Sequence, residues 1–366
     1  MTKNVCILYG GKSQEHEVSR QSAASVFEAI DRTAYRVSCV GIERDGTWHL
    51  QDPPSIVAEE ARGRMLLIRR GDRPLSLVPG RGVMHNDALL PIDVVLPVLH
   101  GPYGEDGTLQ GLLEMMDLPY AGSAVLGSAL AMDKEIVKIV WKAQGIPVVD
   151  SLTVHQDDSA SEKARRSLAE KVERRFGWPV FVKPARAGSS VGVGKAKDAA
   201  GFIAALDHAL AVDTKVIVER AVDAREIECA VIGNGPVQSF PPGEIIPSHD
   251  FYSYDAKYLD PSGARPEIPA ALSPVLARRA RELAEKAFLA ADVQGYARVD
   301  LFLERGTDNL YLNEINTLPG CTNISMFPRL CEAGGLPFAR LIDRLIALGI
   351  ERHASRSRID YGFQRD

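Results

Sequence analysis

The sequence has no C-x-x-C pair, and its five cysteines are an odd number, which argues against a zinc ribbon and a disulfide framework and favours a reducing compartment. It also lacks a surplus of positive charge. A net charge of -5 gives no broad attraction for nucleic acid, and the basic run RRAR at 278–281 suits the wet side of an amphipathic helix. No apolar stretch approaches the ~18 residues of a membrane helix. The N-terminus passes directly into VCILYGG (5–11) with no signal pattern, so neither a membrane partner nor export is expected, and the expected location is the cytoplasm. Two phosphate-binding signatures are missing as well. In VKPARAGSSVGVGK (182–195) five residues separate Gly188 from Gly194 and Ala196 follows the lysine, so it is not a Walker loop. No glycine follows Gly194 within Lys195, Ala196, Lys197 and Asp198, so the dinucleotide fingerprint fails too.

What is present is an ordinary soluble composition, 45% hydrophobic and 25% charged, in 366 residues, enough for two or three domains with real cores. Strands near 4–9, 36–42 and 92–98 with helices near 20–30 and 107–117 give an α/β pattern, α+β in part, with Ser19 as the expected N-cap of the first helix. Residues 44–90, rich in Pro, Gly and Arg, read as an elaboration of this first domain, 1–121. A second unit, 122–213, opens with the amphipathic MDKEIVKIVWKAQGI, ended by Gly145 and Pro147. A charged helix (161–175), the strand PVFVKPA, a glycine-rich hairpin and a helix (198–211) follow, then the strand KVIVERA. The third unit, 214–366, holds strands at 226–233 and 237–246, a polar aromatic loop at 249–265, a helix at 273–291 and a hairpin at 298–320. The tail after Gly349 is expected to fray.

That hairpin, RVDLFLERGTDNLYLNEINTLPG, carries polar groups where an apolar face belongs. Strict alternation puts Leu310, Leu312, Glu314 and Asn316 on one face and Tyr311 and Ile315 on the other, so both faces read as largely apolar and covered. A turn at Gly306–Asp308 sets Asp300 opposite Glu314, with Cβ atoms roughly 5 Å apart. Two carboxylates so close repel unless a proton or cation lies between them, and Asp, Glu and an Asn carbonyl form the all-oxygen set that Mg²⁺ accepts. The alternative is a solvated edge hairpin, which would expose Phe302, Leu310 and Leu312.

Other stretches carry weaker signals. Lys183, with the small residues Gly188, Ser189, Ser190, Gly192 and Gly194, can close backbone N–H groups and a point charge around phosphate, or be an ordinary glycine hairpin. Glu15 and Glu17 follow the first strand where a phosphate binder would avoid negative charge, and suit a substrate ammonium or plain solvent. His100 ends a hydrophobic strand, with Asp106 or Thr108 near the next helix start. A histidine so placed is more often a packed hydrogen-bonding residue than a base. Tyr252, Tyr254, Lys257 and Tyr258 lie in a loop of lid length, and Cys321 reads as packing.

In order, GGKSQEHEVS, HGPYGEDGTLQG, MDK, VKPARAGSSVGV, DFYSYDAKY, RVD and NEINTLPGCTNIS resemble the D-alanine:D-alanine ligase family, of ATP-grasp fold, over about residues 4–350. The resemblance implies ATP between the central and C-terminal domains. Lys134, Lys183 and Lys257 would hold it, with Ser190 in the loop over the phosphates, Glu219 near the adenine and Glu226 at the ribose. It also implies two Mg²⁺, or Mn²⁺, on Asp300, Glu314 and Asn316. Glu15 would take the ammonium of the first D-alanine, with His100 near its carboxylate side. Arg298 and the Gly320 amide would face the oxyanion, and Ser325 the second carboxylate. Glu15, Ser189 and Tyr258 would hydrogen-bond together and close the 249–265 loop. Relatives that add D-lactate tend to carry histidine at the lid position, so Tyr258 favours an amine acceptor. Joining D-alanine to D-lactate or D-serine is the near alternative, and a non-catalytic nucleotide-binding module the remote one. A homodimer is expected from the resemblance alone.

Overall fold

The computed structural model describes residues 2–59, 63–71, 74–247, 264–360 and 362. The N-terminal sheet has the order β3-β2-β1-β9, built from β1 (Lys3–Gly10), β2 (Tyr35–Ile42), β3 (Trp48–Gln51) and β9 (Val94–Val98). The strands β2, β1 and β9 are parallel, and Val5 to Tyr9 are wholly buried, as a continuous apolar run covered on both faces requires. Strand order reverses between β1 and β9, and the loops leaving these two strands carry Glu15 and His100. Such a reversal opens a crevice beyond the strand ends.

Helix α1 (His16–Ala29) begins a turn before the expected Ser19 cap. The reason is that Ser19 is spent elsewhere. Wholly buried, its Oγ accepts from Gly10 N at 2.8 Å and donates to the Val98 carbonyl, tying together the ends of β1 and β9. The 44–90 segment adds β3 to the main sheet, a hairpin of β4 (Ile56–Glu59) and β5 (Gly63–Leu66) against α1, and the small sheet β6 (Ser76–Val78), β7 (Gly82–His85), β8 (Ala88–Leu89). Helix α2 (Thr108–Met115) follows β9.

The central sheet, order β10-β13-β11-β12, is antiparallel and comprises β10 (Ser151–His155), β11 (Val180–Pro184), β12 (Gly194–Ala196) and β13 (Lys215–Arg220). Helices α5 (Glu162–Phe176) and α6 (Ala199–Leu210) cover it through Ala169, Val172, Phe202 and Leu206. The strand β13, beyond the expected boundary at 213, lies inside this sheet. Helices α3 (Val125–Met132) and α4 (Lys134–Ala143) pack instead on the C-terminal core, where the Trp141 indole donates to the Ala287 carbonyl at 3.0 Å.

The C-terminal sheet runs β17-β16-β14-β18-β19, with β15 (Gln238–Ser239) paired to β14. Its strands are β14 (Ala224–Gly233), β16 (Gly243–Pro247), β17 (Ala264–Glu267), β18 (Gly295–Glu304) and β19 (Leu310–Asn316), covered by α7 (Pro274–Ala290). Helices α8 (Met326–Ala333) and α9 (Phe338–Arg356) return to the N-terminal core through Phe327, Leu330, Leu341 and Leu345. The tail expected to fray after Gly349 is therefore helical to Arg356. Gly349 lies so near the Tyr120 carbonyl that a Cβ would sit 2.5 Å from its oxygen, and Arg352 Nη2 donates to the same oxygen at 2.9 Å.

The hairpin departs from strict alternation. Asp300 pairs with Glu314 as expected, but Leu301 pairs with Leu312, leaving Asn313 as the extra residue of a β-bulge. The bulge turns Glu314 and Asn316 to the side of Asp300 and leaves Leu310 and Leu312 with Val299, Leu301 and Ile315 in the core. One face is apolar and the other polar, so the expectation of two largely apolar faces is corrected. The solvated edge hairpin also fails, since Leu310 and Leu312 are buried.

Candidate active site

The polar face of the C-terminal sheet follows from register. Opposite residues share a face, so Glu226 with Phe302, Glu228 with Asp300, and Glu314 and Asn316 across from Asp300 and Arg298 all look the same way. Arg298 forks Asp300, Nε to Oδ1 at 2.7 Å and Nη2 to Oδ2 at 2.6 Å, while Asn316 Nδ2 donates to Asp300 Oδ2 at 3.0 Å. Glu228 Oε2 lies 3.1 Å from Arg298 Nε. Burial pulls the guanidinium pKa down, but Asp300 and Glu228 more than offset this and hold it well above its ordinary value. Lys134 Nζ, 3.2 Å from Glu314 Oε2, also donates to the Ala187 carbonyl at 2.9 Å.

These acids fit a divalent cation. Asp300, Glu314 and the Asn316 carbonyl offer only oxygen, and the anionic pair is compensated here by the side chains Arg298 and Lys134, cations that a hard ion would replace.

Beside them the central sheet supplies a second charged group. Glu219, 2% exposed, is held between Lys183 Nζ at 2.7 Å and Lys138. Burial raises its pKa, but Lys138 and Lys183 outweigh that and bring it down to about 2, so it stays ionised. Lys183 also reaches the bulge residue, donating to Asn313 Oδ1 at 3.3 Å, and its Nζ lies 5.7 Å from the Phe302 ring centroid. Two lysines against one carboxylate leave this group cationic. The glycine-rich loop between β11 and β12 holds Ser189 and Ser190 at φ of 51° and 58°, a left-handed conformation that L-residues adopt at some cost.

A cavity of about 760 Å³ joins the units. Its walls include Glu15, His100 and Ser189 together with Arg298, Glu314, Asn316, Gly320 and Ser325. Ser189 Oγ donates to Glu15, so one side of the expected triad is formed. Tyr258 and Lys257, and most of the 249–265 loop, lie outside the described residues. Ser325 Oγ accepts from Thr322 N at 3.1 Å and packs closely on Gly320, where a Cβ would meet it at 3.0 Å. His100 Nδ1 donates to the Leu318 carbonyl at 2.8 Å and its Nε2 meets Ser22 Oγ at 3.2 Å. Burial lowers its pKa, and both ring nitrogens are engaged by Leu318 and Ser22, which agrees with a packed histidine. Lys134, Lys183, Ser190, Glu219, Glu226 and Asp300 are not in the cavity wall itself. Of these, Lys134 reaches Glu314 of the wall, Asp300 is gripped by Arg298, and Lys183 and Glu219 form the neighbouring cationic group.

Three residues at this site were not singled out from the sequence. Lys138 stands four residues after Lys134, on the buried side of α4 with Val137 and Trp141, so helical spacing was its signal. Glu228 was marked by period-two alternation in EIECAV, where Ile227, Cys229 and Val231 form the apolar face. Glu105 was overlooked for its neighbour Asp106, whose carboxylate merely closes a local turn on Tyr103 N and Thr108 N. Burial in the wall, reinforced by the charge of Glu15, pushes the Glu105 carboxyl up to about 7. An acid raised from its unfolded value keeps its proton in the folded state at pH 5 and loses it near 7. Stability is thus expected to fall as pH rises between those values. Glu105→Gln should flatten that decline in melting temperature from pH 5 to 8, and an unchanged slope would refute the assignment. Cys321 is no nucleophile, since burial pushes its thiol up to about 12.

Two sheet-bearing lobes with acids lining a shared cavity and lysines just behind its wall have the arrangement of an ATP-grasp ligase. The model described as D-ala D-ala ligase N-terminus matches residues 4–123, and that described as D-ala D-ala ligase C-terminus matches residues 140–347. The chain belongs to the D-alanine–D-alanine ligase family. It is 45% identical to a D-alanine–D-alanine ligase A of Bradyrhizobium diazoefficiens, covering 98% of both chains. Among solved structures, the D-alanine–D-alanine ligase of Coxiella burnetii superposes with TM-score 0.81 at 33% identity over 98% of both chains. The D-Ala:D-Ser ligase VanG of Enterococcus faecalis superposes with TM-score 0.80 at 31% identity, over 95% of this chain and all of that one. Membership implies ATP and a divalent metal ion in general.

Proposed function

We propose that this enzyme joins two D-alanines into D-alanyl-D-alanine for peptidoglycan precursors, converting ATP to ADP and phosphate, as a cytoplasmic homodimer. The observation that carries the reading is the cavity that brings the acid Glu15 and Ser189 from two units to face Arg298, Glu314 and Asn316 of a third. The carboxylate of the first D-alanine takes the γ-phosphoryl group of ATP, giving an acyl phosphate. The amine of the second then attacks the carbonyl, loses a proton and expels phosphate. A free carboxylate is a poor electrophile, and phosphorylation supplies the leaving group it lacks.

In this reading Glu15 binds the first ammonium and Ser325 the second carboxylate. His100 packs on the donor's carboxylate side. Arg298 and the Gly320 amide stabilise the tetrahedral oxyanion. Lys134, Lys183 and Lys257 neutralise the triphosphate, with Ser190 above it, Glu219 at the adenine and Glu226 at the ribose. Asp300, Glu314 and Asn316 would hold two Mg²⁺, whose chemistry when bound is to offset charge on the transferring phosphoryl group. The loop bearing Tyr258 closes over Glu15 and Ser189 to keep water from the acyl phosphate.

A phosphate-release assay with ATP, Mg²⁺ and single amino acids of both chiralities tests this. D-Alanine is expected to stimulate release and to yield the dipeptide. No release with D-alanine would refute the reading, and depsipeptide or a D-serine product dominating in mixed-acceptor reactions would move it to the corresponding relative.

A further inference from the structure

We infer that Glu228 is a positioning residue for Arg298, the carboxylate that keeps its guanidinium aimed into the cavity when Asp300 is engaged elsewhere. This deepens the reading above and rests on it for the role of Arg298. Among the described residues two acids lie within ion-pair distance of Arg298: Asp300, which accepts both Nε and Nη2, and Glu228, 3.1 Å from Nε. The two approach differently. Asp300 holds both Nε and Nη2 by hydrogen bonds, and it belongs to the oxygen set suited to a cation. Glu228 stands opposite Asp300 on the neighbouring strand β14, beside Nε as an ion-pair partner while Asp300 takes that N–H, and belongs to no such set.

Charge accounting shows why one acid is insufficient. While Asp300 and Glu314 are compensated by Arg298 and Lys134, Glu228 leaves these five groups with one negative charge in surplus. Once a divalent ion takes the oxygens of Asp300, Arg298 loses its fork partner and gains a cationic neighbour. A long side chain so placed would swing away unless a second buried carboxylate retained it. Glu228 meets that need. It is 7% exposed, lines the cavity with Arg298, and is fixed by a strand ladder with β18 on one side and β16 on the other. Its burial is costly, and the other face of its strand is wholly apolar at Ile227, Cys229 and Val231, so packing alone gives no reason for an acid there. With Asp300 engaged elsewhere, Nε–H would turn to Glu228, and the guanidinium would keep its Nη groups directed at the reacting oxygens.

The test compares Glu228→Gln, which keeps the shape and removes the charge, with the wild type. Turnover is expected to fall roughly 10- to 100-fold, the scale of a misplaced catalytic group, while KM for ATP stays within about 2-fold because Glu228 touches no nucleotide group in this reading. Glu228→Asp should recover part of the loss. Combined with Arg298→Lys, the Gln variant should slow the enzyme no further, as expected when two residues act through one guanidinium. In ligand-free Asp300→Ala protein, where Glu228 is the acid left beside the guanidinium among the described residues, the Arg298 Nε–H observed by NMR should exchange faster once Glu228→Gln is added. Normal turnover in Glu228→Gln, multiplicative losses in the double variant, or unchanged Nε–H exchange would each overturn the assignment. If the Gln variant does not fold, Glu228→Asp bears the same test, and wild-type turnover and exchange there would overturn it. The NMR measurement needs no substrate, so failure of the ligase reading, seen as no phosphate release by the wild type, is told apart from failure of this contact.

Discussion

Glu314→Gln is expected to lower the rate of dipeptide synthesis by about 100- to 1,000-fold, the range found when a charge-stabilising group is lost from a preorganised site, with the fold intact. The substitution keeps the shape of the side chain and removes one negative charge from the oxygen set facing Asp300. Asp300 cannot compensate, because its own oxygens are already bonded to Arg298 and Asn316. Stability should change little, since Glu314 is partly exposed and Lys134 keeps the Ala187 carbonyl as an acceptor. The measurement is steady-state phosphate release beside thermal melting. A rate within about 3-fold of wild type, far short of the loss expected of such a group, would show that the pair with Asp300 is a structural ornament.

The same pair illustrates what the sequence could and could not disclose. Asp300 does face Glu314 as a turn centred on Thr307 implies, but the pairs nearest the turn, such as Leu303 with Leu310, are offset by one residue, and the bulge at Asn313 restores the register. The faces did not follow, because apolar parity shifts between Leu312 and Ile315. That shift was the trace of a bulge, and strict alternation read it as two covered faces. Ser19 failed as a cap for a related reason. Serine before a helical run has a local signature, but the buried bond from Gly10 and the bond to the Val98 carbonyl are made across the sheet, which local pattern cannot show. Glu228 and Lys138 had a periodic signal but no partner in sequence to give it meaning. Their strand and helix read well as elements, while the polar position on each became significant only when another strand or sheet came opposite. Residues in contiguous motifs, such as Glu15, Ser189 and Lys183, stand out in the sequence because the motif brings its own context.

Lys183→Met is expected to reduce turnover by about 100-fold or more, on the scale of removing one charge-stabilising donor, and to raise KM for ATP. The cause lies in the balance around Glu219. Lys138 and Lys183 together outweigh the carboxylate by one charge, and Lys183, reaching past Glu219 to Asn313 and Phe302, is the member that extends toward the C-terminal sheet. Its removal leaves Lys138 and Glu219 as a closed neutral pair, so the triphosphate would meet no surplus charge from the central sheet. The buried carboxylate still keeps one partner, which limits the stability loss. The contrast is Lys138→Met. It too neutralises the group, but by drawing Lys183 wholly onto Glu219, so it should raise KM for ATP although Lys138 is wholly recessed beneath Glu219. Isothermal titration of both variants with a non-hydrolysable ATP analogue checks this. Full affinity in Lys138→Met would mean that Lys183 serves the nucleotide independently of the Glu219 balance.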